Sequence, residues 1–138
     1  MARVLVIDDD KLFVELMVDA LEERGHVVTF AFDGHAGLRE FAASKFDAVV
    51  CDLVMPEQEG VETIRLLRRQ AAGVGIVAIS SGLRSSASSL DILHFASRFG
   101  ADVTLKKPFK LSQLVAAVDE AMSLSSKGLT VGTSAAAI

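Results

Sequence analysis

The stretch Ala48-Val49-Val50-Cys51-Asp52-Leu53-Val54-Met55-Pro56, closing at Gly60, decides how the chain is read. Its first four residues favour a buried strand and run straight into an aspartate, so the Asp52 carboxylate falls where a strand ends and a loop begins. An acid is costly inside a core. At the C-terminal lip of an open parallel sheet it is half solvated, and that lip is where such sheets bind ligands. Pro56 withholds a backbone donor and stops the strand, and Gly60 frees the backbone ahead of a helical pattern over Val61 to Gln70, with Ile64 and Leu67 facing the core.

The same strand-then-helix unit recurs on either side. Upstream, Arg3 to Ile7 is an apolar strand ending in Asp8, Asp9 and Asp10. Leu12, Phe13, Leu16, Met17, Ala20 and Leu21 then recur at helical spacing until Gly25. Val27 to Phe32 reads as a second strand, Asp33-Gly34 as a turn, and Ala36 to Phe41 as a short helix with Leu38 and Phe41 inward. Downstream, Ile76 to Ile79 is a fourth strand ending in Ser80-Ser81-Gly82, and Ser85 to Ser89 offer N-caps for a helix reaching about Phe99. Val103 to Lys106 is a fifth strand, followed by Lys107-Pro108 and a last helix with Leu111, Leu114, Val115, Val118 and Met122 on one face. Strand starts near residues 3, 27, 47, 76 and 102 leave room for a crossover helix each time. The expected fold is therefore α/β, a five-stranded parallel sheet with helices on both faces.

Composition excludes several function classes. The 138 residues suit one domain with its own core. Fourteen Lys and Arg against eighteen Asp and Glu give a net charge of −4, without the basic excess of a phosphate-backbone binder, so no nucleic-acid partner is expected. Cys51 is the single cysteine; lying in the strand pattern, it reads as a buried structural thiol. The acids at Asp8 to Asp10 interrupt the first apolar run, as no signal peptide would, and no run approaches the ~18 apolar residues of a membrane span. No membrane partner is expected, and the compartment is read as cytoplasmic.

All strand C-termini in such a sheet point to one edge, which gathers Asp8, Asp9, Asp52, Ser80 and Lys107. Carboxylates held together repel and titrate as a coupled set, a strain that a divalent cation relieves. Hard oxygen ligands, few in number and leaving room for water or phosphate, suit Mg2+ better than a calcium cage of about 6–8 oxygens, and Mn2+ could substitute. Ser80 offers a hydroxyl to a tetrahedral anion, and Lys107 a compact positive charge opposite the metal. Between them a phosphoryl-sized gap would let an aspartate oxygen attack phosphorus in line. Taken singly, a strand-end Asp is often a turn former or helix cap, the role read for Asp10. Nothing structural calls for three acids at one lip. His26, His35 and His94 fall away from it and read as surface or packing residues.

With these motifs in place, the chain resembles a receiver domain of bacterial two-component signalling, the response-regulator family. The resemblance covers roughly residues 2–124 and rests on Val6-Ile7-Asp8-Asp9-Asp10, Asp52-Leu53-Val54-Met55-Pro56 with Gly60, Ile79-Ser80-Ser81-Gly82 and Lys107-Pro108-Phe109, in order at the ends of the right strands. It implies a flavodoxin-like (βα)5 three-layer sandwich of strand order 2-1-3-4-5. It also implies that Asp52 is the phosphoacceptor, taking a phosphoryl group from a histidine on a sensor kinase or phosphotransfer protein. Asp9 matches the direct Mg2+ ligand, Asp8 the acid that reaches the metal through water, and Val54 the residue whose backbone carbonyl completes the site. Ser80 matches the switch hydroxyl, Lys107 the neutralising lysine, and the Lys107–Pro108 peptide is cis in the family. The side chains at Val54 and Gly82 line the path of attacking water in the family, so the phosphoryl lifetime is expected to follow access. One departure stands out. The family commonly has an aromatic residue at the position of Thr104, whose rotamer reports phosphorylation, and this chain has no Tyr or Trp. Output is then expected through the loop from Ser80 to Ser89 and the face made by the fourth predicted helix, the fifth strand and the last helix.

Residues 1–124 are expected to form the receiver domain, and residues 125–138, small and polar, a flexible tail or docking segment. The leading expectation is a stand-alone response regulator, monomeric or weakly dimeric, whose phosphorylation switches binding to a target protein. The alternative is a phosphorelay intermediate or phosphate sink. A turnover enzyme is disfavoured, because phosphatases with a nucleophilic Asp usually carry a second acid two residues on, where this chain has Val54. A dinucleotide binder is disfavoured too, since no Gly-x-Gly-x-x-Gly follows the first strand.

Overall fold

From the first strand to the fourth, strand and helix alternate as the residue pattern requires, in a computed structural model that describes residues 1–53, 59–80, 97–98 and 100–126. In chain order the elements are β1 (Arg3–Ile7), α1 (Lys11–Glu23), β2 (Val27–Ala31), α2 (Gly34–Ala43), β3 (Ala48–Asp52), α3 (Glu59–Gln70), β4 (Gly75–Ser80), β5 (Val103–Lys106) and α4 (Leu111–Ser126). The five strands form one sheet of order β2-β1-β3-β4-β5, every neighbouring pair parallel. This is the expected fold and strand order.

The central strands β3 and β4 are buried along their whole length, which is why Ala48 to Cys51 and Ile76 to Ile79 read as continuous apolar runs. Alternate residues feed two cores. Leu5, Ile7, Val49, Cys51, Ile76 and Ala78 meet Phe41 of α2 and Ile64 and Leu67 of α3 on one face. Val4, Val6, Val50, Val77 and Ile79 meet Val14, Met17 and Leu21 of α1 and Leu114, Val115 and Val118 of α4 on the other. Each fully buried side chain of this kind is worth about 1.5–3 kcal/mol relative to exposure.

Local chemistry sets the helix ends. The Asp10 carboxylate accepts from Phe13 N and caps α1, and the Asp33 carboxylate accepts from Ala36 N and caps α2, so Asp33-Gly34 opens a helix where sequence alone suggested a turn. Gly25, at φ +88°, ends α1 in the left-handed region that favours glycine. The inward stripe of α1 is rotated from its expected position. Val14, Met17 and Leu21 are buried, whereas Leu12 and Leu16 are 69% and 45% exposed. The acid cluster and its cap set the phase of the first turn, and the wide apolar band of this helix left two phases open in the sequence.

The C-terminal helix takes in Ser125 and Ser126, which the sequence had assigned to the tail. Residues 127–138 lie outside the described residues, as do Val54 and Gly82 and most of the helix expected between Ser85 and Phe99, of which Ser97 and Arg98 are helical. Among the described residues no helix is long and apolar enough to cross a membrane.

Candidate functional site

Parallel strands deliver their C-terminal residues to one lip, and the register fixes which residues meet there. The Asp8 backbone N donates to Ala31 O at 3.1 Å, and Leu53 N to Ile79 O at 2.8 Å. Lys107 N donates to Ser80 O at 2.8 Å, which ties the lysine to the end of β4 just past β5. The Lys107–Pro108 peptide is cis. The start of α3 presses on the end of β3: a Cβ on Gly60 would come within 2.5 Å of Asp52 O and collide with Leu53 Cα. Only glycine fits there, and the reason is contact rather than backbone torsion.

One carboxylate oxygen from each of Asp8, Asp9 and Asp52 lies within 4.8 Å of the other two. Asp8 and Asp52 are buried, whereas Asp9 is exposed. The Lys107 ammonium stands 3.4 Å from Asp8 Oδ2 and 3.6 Å from Asp52 Oδ2, both longer than a tight charge-assisted hydrogen bond. Asp8 Oδ1 also accepts from Asp10 N at 2.9 Å. Burial raises the Asp8 carboxyl above its ordinary value, against the lowering pull of the Asp10 amide, the Lys107 charge and the hydrogen bonding to Asp52. A single ammonium thus faces two buried acids and a third at the rim.

Ser80 is fully buried, and its Oγ has no hydrogen-bond partner among the described residues. An unsatisfied buried hydroxyl carries a desolvation cost of about 1–3 kcal/mol, which a hydrogen-bond acceptor brought to the lip would relieve. The donor set fits a small divalent cation: hard carboxylate oxygens, excess negative charge and open solvent on the Asp9 side. Cys51 lies behind the site, with Sγ 3.5 Å from Asp52 O and 3.9 Å from Gly60 O. Burial, reinforced by the charges of Asp52 and Asp8, pushes its thiol far above the usual range, which leaves it inert.

The structure therefore brings together Asp8, Asp9, Asp52, Ser80 and Lys107, five residues named from the sequence. Asp10 is the α1 cap, as read. Thr104 pairs in register with Ala78, which puts it on the same sheet face as Ser80. His26 serves the other end of the sheet, where its Nδ1 accepts from Ala2 N at 3.2 Å. Sequence reasoning missed Phe13, assigned to the core of α1. Its ring centroid lies 4.5 Å from Lys107 Nζ. The available signal was an aromatic within the first turn after the acid cluster.

Comparison with known proteins agrees with this geometry. The family model described as response regulator receiver domain matches residues 4–119. A probable transcriptional regulatory protein of Picosynechococcus sp. is 35% identical over 122 residues, covering 83% of this chain and 47% of that protein. The transcriptional regulatory protein PrrA of Mycobacterium leprae is 36% identical over 116 residues, covering 84% of this chain and 48% of its own length. The chain thus spans about half the length of these curated relatives. Among solved structures, a receiver domain protein from Clostridium thermocellum superimposes with a TM-score of 0.82 at 25% identity, over 94% of this chain and 100% of that one. A CheY-like receiver domain from Methanospirillum hungatei gives 0.82 at 24% identity, over 93% and 98%, and supports the fold.

Proposed function

The chain belongs to the response regulator receiver domain family of two-component systems, and from that premise we propose that Asp52 accepts a phosphoryl group from a histidine of a partner protein, with Mg2+ bound beside it. One observation carries the reading: two buried carboxylates share one loosely held ammonium beside a buried hydroxyl with no partner among the described residues, all at the lip of one sheet.

Asp8, Asp9 and Asp52, with the backbone carbonyl of Val54, would hold the ion, which when bound neutralises charge on the acids and on the incoming phosphoryl oxygens. Asp52 attacks phosphorus through a carboxylate oxygen. The new O–P bond replaces the N–P bond of the donor, and the imidazole leaves with the electron pair and gains a proton. Lys107 turns its ammonium from the carboxylates to a phosphoryl oxygen, and the Ser80 hydroxyl donates to another. The buried position of Asp52 keeps bulk water from its acyl phosphate. The protein assists its own phosphorylation and dephosphorylation and does not turn over an external substrate. The changed lip then alters binding of a target protein through the face that includes β5 and α4.

Mass spectrometry after incubation with acetyl phosphate, with and without Mg2+, tests this. An adduct of one phosphoryl group, dependent on Mg2+ and missing in Asp52→Asn, is expected. No adduct in the unaltered protein would overturn the proposal and leave the domain as a constitutive binding module.

A further inference from the structure

Lys107 has a third neighbour besides its two carboxylates. The face of the Phe13 ring lies 4.5 Å from its Nζ, measured to the ring centroid, within the range of a cation–π contact. Phe13 is itself held on two sides. Its ring meets Phe109 edge to face, with centroids 5.7 Å apart and planes at 67°. Its backbone N donates to Asp10 Oδ1 at 3.1 Å, while Asp10 N donates to Asp8 Oδ1 at 2.9 Å. A short bonded path therefore links an acid of the site to the ring that covers the lysine. Phe109 follows Lys107 by two residues, so the pair of rings clamps the lysine segment from α1 on one side and from its own chain on the other.

We propose that Phe13 is a positioning residue for Lys107: its ring face holds the ammonium at the lip without offering it a competing oxygen. The physical need is specific. During phosphorylation the ammonium must exchange a carboxylate for a phosphoryl oxygen, and a hydrogen-bonding neighbour would compete for it at that moment. The negative face of a ring attracts the charge without a directional bond, so the ammonium can pivot and keep its place. An aliphatic side chain at position 13 would fill the space without that attraction. The consequence for phosphorylation rests on the function proposed above; the placement of the lysine does not.

Two readouts on the full chain separate these. In nuclear magnetic resonance spectra of the unphosphorylated protein, the Lys107 ε-methylene protons should be shifted upfield by the ring. The shift should be lost in Phe13→Leu and kept in Phe13→Tyr. With acetyl phosphate at saturating Mg2+, Phe13→Leu should slow phosphorylation by about 3- to 10-fold, the scale of one partly desolvated cation–π contact. Phe13→Tyr should restore the rate, and Phe13→Leu should have no further effect in a Lys107→Ala background. A Phe13→Leu protein with unshifted Lys107 resonances relative to the unaltered protein would overturn the proposal. So would an equal slowing with and without Lys107, which would mark Phe13 as a packing residue. The spectral readout decides the placement even where no phosphoryl group is taken up, an outcome that counts against the proposed function alone.

Discussion

At the N-terminal edge of the sheet Arg68 meets Asp102 at 2.8 Å; at the C-terminal edge Lys107 stands 3.4 and 3.6 Å from Asp8 and Asp52. The two cations are almost equally covered, with side chains 20% and 21% exposed, and the acids are all nearly buried. Burial therefore does not explain the difference. Pairing does. Arg68 also donates to Gly100 O at 3.2 and 2.7 Å and to Ala72 O and Val74 O at 2.8 Å each, and Asp102 accepts from Ile76 N at 2.9 Å. That cluster is complete, and it staples the end of α3 to the starts of β4 and β5. The cluster at the opposite lip holds more acid than base and a Ser80 hydroxyl with no partner among the described residues. One edge of the same sheet is closed by its own pairs; the other leaves the acid excess on which the proposed cation and phosphoryl chemistry rests.

The largest expected effect breaks the complete cluster. Arg68→Ala leaves Asp102 as an uncompensated buried charge and strips partners from three carbonyls, which should cost about 3–5 kcal/mol in urea denaturation. A loss no greater than that of an ordinary surface substitution would remove the distinction between the edges.

A pH series sharpens the comparison at the incomplete lip. Burial raises the Asp8 carboxyl, so in the window above the ordinary carboxylate value the folded protein binds the proton more tightly than the unfolded chain. Stability should fall as pH rises through that window and return as pH falls, opposite in sign to the usual ion-paired acid. Asp8→Asn should flatten this slope in denaturation curves taken from acid to neutral pH. An unchanged slope would place its cause elsewhere.

The smallest effect on stability belongs to Ser80→Ala, which removes a buried hydroxyl with no partner to lose among the described residues. It should leave stability within about 1 kcal/mol of the unaltered protein, or raise it, while changing the lifetime of the phosphoryl adduct. Thr104→Ala, on the same face, should change that lifetime and target binding less than Ser80→Ala does, because it lacks the aromatic ring that would couple it to the switch. Equal effects would show that Thr104 transmits the signal after all.

The two edges were not equally legible in the sequence. Asp8, Asp9, Asp52, Ser80 and Lys107 could be read because each falls at or just past the end of a strand pattern, and parallel topology sends every such end to one lip. Their chemistry is local to the motif that carries them. The Arg68–Asp102 pair joins residues 34 apart, one in a helix and one before a strand, and neither has a sequence neighbourhood that names the other. Phe13 over Lys107 escaped for the same reason. Within α1 an aromatic at helical spacing looks like any core residue, and only the packing of α1 beside the segment that follows β5 gives its ring a charge to face. The phase of α1 was ambiguous because its apolar residues cover more than one stripe; packing chose Val14, Met17 and Leu21 and left Leu12 and Leu16 outside.

Equilibrium urea denaturation of Asp52→Asn and Asp102→Asn, run side by side without metal, tests the central claim most directly. Asp102→Asn weakens a saturated pair and should lose about 2–4 kcal/mol. Asp52→Asn removes one of two crowded buried acids and should lose nothing or gain stability, since Asp8 still pairs with Lys107. A loss at Asp52 equal to that at Asp102 would mean that the lip is as fully paired as the opposite edge, contradicting a site held open for a cation and a phosphoryl group.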